Sequence, residues 1–285
     1  MNKAVALVAA GLFAAGSVCA QPLEGRLKKI AETRSIAVAY RADAIPFSFA
    51  DDKGEVQGFS IDLCKRVVSS IERQLKVASL KVNWLPVTAQ SRFDAVAKGR
   101  ADLECGSSTI TLTRMRQVDF SSITFVESTG LLVKTASGAR SLSDLSGKRI
   151  VVIKGTTNER VIAEQLKRRD LNAAVLPVAT REEAMDALEE GKAEAFASDR
   201  MLLIGAASKA KETGGLTLLA DQLSYEPYGM VLPRGDAGLR LAVNSALARL
   251  YASGDMADIF RRWFGHIGKP SAMLEAVYIL GAIPE

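Results

Sequence analysis

The residues best suited to chemistry in this chain are hydroxyls, arginines and one aspartate. Gly106, Ser107, Ser108 and Thr109 follow the strand-like stretch Ala101–Glu104, and Arg114 comes shortly after. Glycine lets the backbone turn sharply, and a guanidinium offers a planar fork that matches a carboxylate. Such a turn suits a small anion. A capped helix start with a surface arginine uses the same residues, so both readings stand at this point. A second hydroxyl turn, Gly155-Thr156-Thr157, opens a helical stretch. Helix N-termini attract anions through free N–H groups and the helix dipole, although an ordinary cap also fits. Arg41 directly follows the strand Ile36–Tyr40. Arg92 falls in the first turn of a helix, where a cation opposes the dipole. A bound anion accounts for both arginines, as does a surface salt bridge. Asp199 lies just past the small apolar strand Ala193–Ala197. It either receives an ammonium group or caps the helix that starts at Arg200.

The elements that must position these residues follow an α/β rhythm. Strand Ile36–Tyr40, a helix with Ile61, Leu63, Cys64, Val67, Val68, Ile71 and Leu75 at helical spacing, strand Lys81–Leu85, helix Gln90–Lys98 and strand Ala101–Glu104 form a first unit. Ala101–Ser121 as a whole reads as strand, hydroxyl-rich turn and helix start. A second unit runs from strand Thr129–Val133 through strand Gly147–Ile153, helix Glu159–Arg169, strand Leu176–Val178 and helix Glu182–Glu189 to strand Ala193–Ala197. Tyr228–Leu232 reads as one late strand, followed by helices Leu239–Ser253 and Met256–Phe264. The chain is therefore expected to cross between two lobes twice, near Glu127–Leu131 and Tyr225–Met230. In open α/β sheets ligands sit beyond the carboxyl ends of strands, where both hydroxyl turns fall.

Composition narrows the function. The 285 residues are 48% hydrophobic and 24% charged, with a net charge of +5, as expected for one large or two medium globular domains. The basic residues are scattered, and Lys167-Arg168-Arg169 is only a short cluster, so no nucleic-acid partner is expected. No nucleophile elbow, Walker loop or zinc-protease motif is present, and no catalytic residue is assigned. The single histidine, His266, reads as a surface residue without partners. The N-terminus has the form of a secretory leader: Lys3, an apolar run Ala4–Ala15 and a small-residue site Val18-Cys19-Ala20. Its cleavage leaves Cys64 and Cys105. In an oxidising compartment these form one disulfide or remain two buried thiols. Two cysteines and one remote histidine make no metal site, and no cofactor is expected.

Together these segments resemble the periplasmic amino-acid-binding proteins of ABC importers, solute-binding family 3, in the glutamate/aspartate-binding branch. The resemblance spans about Leu27 to Gly265. It is carried by Arg41 with Ile45-Pro-Phe-Ser-Phe49, Gly58-Phe-Ser-Ile-Asp-Leu63, Thr88-Ala-Gln-Ser-Arg92, Asp102-Leu-Glu-Cys-Gly-Ser107, Val118-Asp-Phe-Ser121, Leu145-Ser-Gly-Lys148, Gly155-Thr-Thr157, Ala195-Phe-Ala-Ser-Asp199, Tyr228-Gly-Met230 and Trp263-Phe-Gly265.

The resemblance implies the type II periplasmic binding protein fold. Each lobe is a mainly parallel sheet flanked by helices, and a two-crossing hinge joins them. Residues 1–20 would be the signal peptide, 21–128 with 229–265 the first lobe, 129–228 the second and 266–285 a C-terminal tail. By the same resemblance Arg114, with Ser107, Thr109 and Thr156, holds a ligand α-carboxylate. Asp199 accepts the α-ammonium, and Arg41 and Arg92 hold a side-chain carboxylate. Arg181 aligns, across a variable loop, with a ligand-contacting histidine of the branch. Ala89 and Ile153 replace a serine and a threonine found there. The implied protein is a periplasmic monomer that closes on glutamate or aspartate and delivers it to ABC permease subunits in the inner membrane. Cys64 and Cys105 would then be paired. An enzyme like cyclohexadienyl dehydratase and an exported sensory binding module are the alternatives on this fold.

Overall fold

Short runs of Val, Ile and Ala, such as Ile36-Ala-Val-Ala39 and Ile150-Val-Val-Ile153, are too brief for buried helices and suit strands covered on both faces. The computed structural model describes residues 23–212 and 214–284. The expected leader, residues 1–20, lies outside the described residues. In chain order come α1 (Gly25–Thr33), β1 (Ser35–Arg41), β2 (Asp43–Ala44), β3 (Ser48–Ala50), β4 (Val56–Gln57), α2 (Phe59–Leu75), β5 (Lys81–Val87), α3 (Arg92–Ala97), β6 (Leu103–Glu104) and β7 (Val118–Phe120). Then β8 (Phe125–Glu127) leads into β9 (Thr129–Lys134), β10 (Arg149–Ile153), α4 (Thr157–Arg168), β11 (Ala174–Val178), α5 (Arg181–Glu189), β12 (Ala195–Asp199), α6 (Arg200–Ala207) and β13 (Leu216–Leu218). The chain returns through β14 (Glu226–Tyr228) to β15 (Val231–Pro233), α7 (Ala237–Ser253), α8 (Asp255–Phe264) and α9 (Ala272–Gly281).

Two five-stranded sheets result, ordered β5-β1-β6-β15-β7 and β11-β10-β12-β9-β13. In the first, β1 pairs parallel with β5 and β6, while β15 runs against β6 and β7. In the second, β10 pairs parallel with β11 and β12, while β9 runs against β12 and β13. The reversed strand in each sheet is therefore the one that enters from the connector. That connector is the antiparallel pair β8–β14, with Glu127 opposite Glu226 and Phe125 opposite Tyr228. Phe125 and Tyr228 both pack on Phe47, with ring centroids 4.9 and 5.2 Å away. The connector is thus rooted in the aromatic core of the first sheet's side.

Helix α2 buries Ile61, Leu63, Cys64, Val67, Val68 and Ile71 on one face, the set that helical spacing predicts. Cys64 on that face is bonded to Cys105, just after β6, with a Cα–Cα distance of 6.2 Å. This resolves the two-way reading of the cysteines in favour of the disulfide.

Three expectations change. No helix follows the Gly106–Thr109 turn: only a three-residue 3-10 turn, Arg114–Arg116, forms there. The reason is long-range pairing. Thr109 bridges to Tyr228, the Ile110 N–H donates to the Pro227 carbonyl at 2.7 Å, and the Gly229 N–H donates to the Ser108 carbonyl at 3.1 Å. The late strand Tyr228–Leu232 is two strands, because the chain leaves the connector at Gly229-Met230 and joins the first sheet at Val231. The segment expected as a tail contains α9. Its Leu274 is buried, and its Tyr278 hydroxyl donates to the Thr124 carbonyl at 3.2 Å.

Candidate functional site

Each candidate side chain is delivered by the end of a strand or the start of a helix. Arg41 closes β1, and Ser107 and Thr109 follow β6. Arg92 opens α3, Thr156 precedes α4, Arg181 opens α5 and Asp199 ends β12. Their sheets face each other, so residues distant in sequence meet. Arg41, Arg92, Ser107, Thr109, Thr156, Arg181 and Asp199 line one enclosed space, together with Ile153, Thr157, Asn158, Ser198 and Leu202. Arg114 is not part of that wall. It stands behind it, with Nη1 donating to the Thr109 carbonyl at 2.8 Å.

Local chemistry decides several open readings. Thr156 caps α4: its Oγ1 accepts from the Glu159 N–H at 3.3 Å and donates to the Ile153 carbonyl at 2.7 Å. Gly155, at φ +76°, makes the preceding turn possible. Asp199 stands at the cap position of α6 but makes no side-chain cap bond. Its Oδ1 instead accepts from Asn158 Nδ2 at 3.0 Å, and the residue is 4% exposed. The Asp199 carboxylate therefore does not cap α6. Gly106 has a different reason from the expected sharp turn: a Cβ there would lie 2.1 Å from Glu104 Oε1.

The site separates charge. At one end are the buried guanidiniums of Arg41, Arg92 and Arg181. Burial, with the charges of Arg114 and Arg41, pushes the Arg92 pKa down to about 9. The Phe93 ring lies 4.8 Å from the Arg92 guanidinium carbon and 4.7 Å from that of Arg114, which anchors both cations. Glu104 is fully buried beneath them, its two oxygens without hydrogen-bond partners among the described residues. Burial raises its pKa, while Arg92 pulls the other way. At the other end, next to the connector, Asp199 is pushed up to about 6 by burial and by Glu226. Glu127 is pushed up to about 8 by burial and by Asp199.

The two sides also touch directly. Gln90 Nε2 donates to the Lys154 carbonyl at 2.9 Å and to the Ala179 carbonyl at 3.2 Å. Arg181 Nε donates to the Asp43 carbonyl at 2.9 Å. On α6, a Cβ at Gly205 would lie 2.2 Å from the Ile45 carbonyl oxygen. The space left between the walls is about 10 Å³, room for about one water. An amino acid can enter only when the walls part. No metal-ligand cluster occurs among the described residues.

Sequence reasoning missed Asn158, Ser198, Leu202, Asp43 and Glu104. Asn158 and Ser198 stand beside predicted residues and were within reach. Asp43 and Glu104 gain meaning only from arginines that the fold brings to them.

A closed cleft between two α/β halves, lined by fixed charges and joined by paired strands, defines a ligand-clamping protein. Residues 36–266 match the bacterial extracellular solute-binding proteins, family 3, and the chain belongs to that family. It is 37% identical over 260 residues to an L-glutamate/L-aspartate-binding protein of Pseudomonas aeruginosa, covering 91% of this chain and 85% of that one. It is 31% identical over 238 residues to a glutamate/aspartate import solute-binding protein of Escherichia coli, covering 84% of this chain and 79% of that one. Among solved structures it resembles an ancestral arginine-binding protein bound to arginine, with a TM-score of 0.72 and 28% identity. That match covers 81% of this chain and 98% of the other. The family therefore serves more than one amino acid on this architecture.

Proposed function

We propose that this protein captures an acidic amino acid, glutamate or aspartate, by lobe closure, and presents it to the permease subunits of an ABC importer. It works without turnover, as a monomer in the periplasm after export by a cleavable leader. The observation that carries the reading is the charge layout of the cleft: buried guanidiniums at one end and buried Asp199 at the other. An acidic amino acid has two carboxylates and one ammonium, which is the complementary pattern.

Asp199 receives the ammonium. Ser107, Thr109 and Thr156 flank the α-carboxylate, and Arg114 supports it from behind Thr109, where its Nη1 is already tied. Arg92 and Arg181 face the distal carboxylate, and buried Arg41 adds positive charge at that end. Residues 21–128 with 229–265 form one lobe and 129–228 the other, and they part about the β8–β14 connector. Ligand shifts this equilibrium because it bonds both walls only when they meet. The relatives named for glutamate and aspartate support the choice of ligand.

Calorimetric titration of the mature protein with glutamate, aspartate, glutamine and arginine tests the proposal. The expected order places glutamate or aspartate first. Tighter binding of arginine or glutamine would remove the distal-carboxylate role from Arg92 and Arg181.

A further inference from the structure

Among the three buried arginines at the side-chain end, one is already occupied. Arg41 Nε and Nη2 donate to Asp43 Oδ1 at 3.0 and 2.8 Å, and Nη2 also donates to Oδ2 at 3.1 Å. This two-pronged grip is the geometry a guanidinium uses for a bound carboxylate. Neither Arg92 nor Arg181 has an ion pair within 4 Å among the described residues. Asp43 also reaches across the cleft, because its backbone carbonyl takes the Arg181 Nε–H. Burial works against ionisation of Asp43, but the charges of Arg41 and Arg181 outweigh it and hold its pKa below the ordinary value. It is a carboxylate at neutral pH.

We propose that Asp43 is the specificity-setting residue of the side-chain end: a half-exposed carboxylate of the chain itself that fills Arg41 and leaves the ligand's distal group to Arg92 and Arg181. The inference rests on the acidic-amino-acid reading and refines it. Arg41 is 3% exposed, so without Asp43 its charge would be shared between buried Glu104 and the ligand. Asp43 thus weakens the pull on a second carboxylate and narrows the gap between glutamate and its amide. The resemblance gave Arg41 to the ligand; the geometry gives it to Asp43.

The test compares Asp43→Asn with the unaltered protein by calorimetry against glutamate and glutamine, after thermal melting shows that the variant folds. Asp43→Asn should bind glutamate about tenfold tighter or more, and the glutamate-to-glutamine ratio should rise by a similar factor. Asp43→Glu, which keeps the charge, should stay near the original ratio. A merely structural Asp43 would lower affinity for both ligands alike and leave the ratio unchanged, which overturns the inference. Asp43→Ser gives the same contrast if the asparagine variant does not fold. If the unaltered protein prefers glutamine and Asp43→Asn turns it toward glutamate, the role of Asp43 stands while the acidic reading falls. If the unaltered protein binds glutamate and the ratio does not move, the acidic reading stands and this inference falls. Glutamate binding by neither form removes both.

Discussion

The two ends of the cleft handle buried charge in opposite ways. The connector end crowds three acids, Asp199, Glu127 and Glu226, and their repulsion and burial lift Asp199 to about 6 and Glu127 to about 8. It lacks positive charge, which is what the proposed ammonium group would supply. The arginine end crowds cations but interleaves them with Asp43 and Glu104, so part of its field is cancelled internally. One end is tuned by how hard it is to ionise, the other by how much is already paired. The acid end should therefore govern whether an amino acid binds, and the arginine end which one.

The sharpest break of that contrast is Asp199→Asn, which keeps the shape and removes the charge. Titration should show about 100-fold or greater loss of affinity for every amino acid tested, since it leaves a desolvated ammonium unpaired. Retained tight binding would move the ammonium site elsewhere. Arg181→Gln should cost less, about tenfold, and only for ligands with a distal carboxylate. An equal loss for glutamine would deny the division of labour between the ends.

Part of this was legible in sequence. Helix α2 follows from apolar spacing, because it buries one face, and strands β1 and β10 follow from short apolar runs. The hydroxyl turns and strand-end charges stood out by residue type, and most of them line one space; what they bind is our proposal. The split of Tyr228–Leu232 was not, because Gly229-Met230 interrupts no hydrophobic pattern; only Thr109 and Ile110 pairing across the chain creates it. The role of Asp43 was not legible, since nothing local says that Arg41 turns back onto it. Asp199 left two readings open, and the missing cap bond removes the capping one.

Smaller effects sharpen the comparison. Gly205→Val puts a side chain against the Ile45 carbonyl. It should weaken all ligands several-fold by holding the walls apart, without changing their order; a changed order would show that α6 reads the side chain. Acidity separates the ends as well. The ammonium needs an ionised Asp199, so affinity should fall about tenfold from pH 7 to pH 5, and binding near pH 6 should release protons. Stability of the free protein runs the other way. The folded-state pKa values of Asp199 and Glu127 are raised, so their contribution is fully present below the ordinary carboxylate range and is lost as pH rises through about 6 and then about 8. Parallel trends in affinity and stability would contradict this. Replacing Cys64 and Cys105 together by serine should lower stability by roughly 2–4 kcal/mol in denaturant melts. It should leave ligand preference intact, because the bond ties α2 to β6 rather than one wall of the cleft to the other.

The narrowness of the shut cleft carries a consequence in time rather than energy. With space for about one water, the closed form offers no doorway, and capture from it requires Gln90 to release the Lys154 and Ala179 carbonyls and Arg181 to release the Asp43 carbonyl. The observed association rate should then level off at high ligand concentration, at the rate of spontaneous opening. Weakening that one amide contact, as in Gln90→Ala, would lift the plateau. A residue that belongs to neither charged end would then share in setting the speed of uptake.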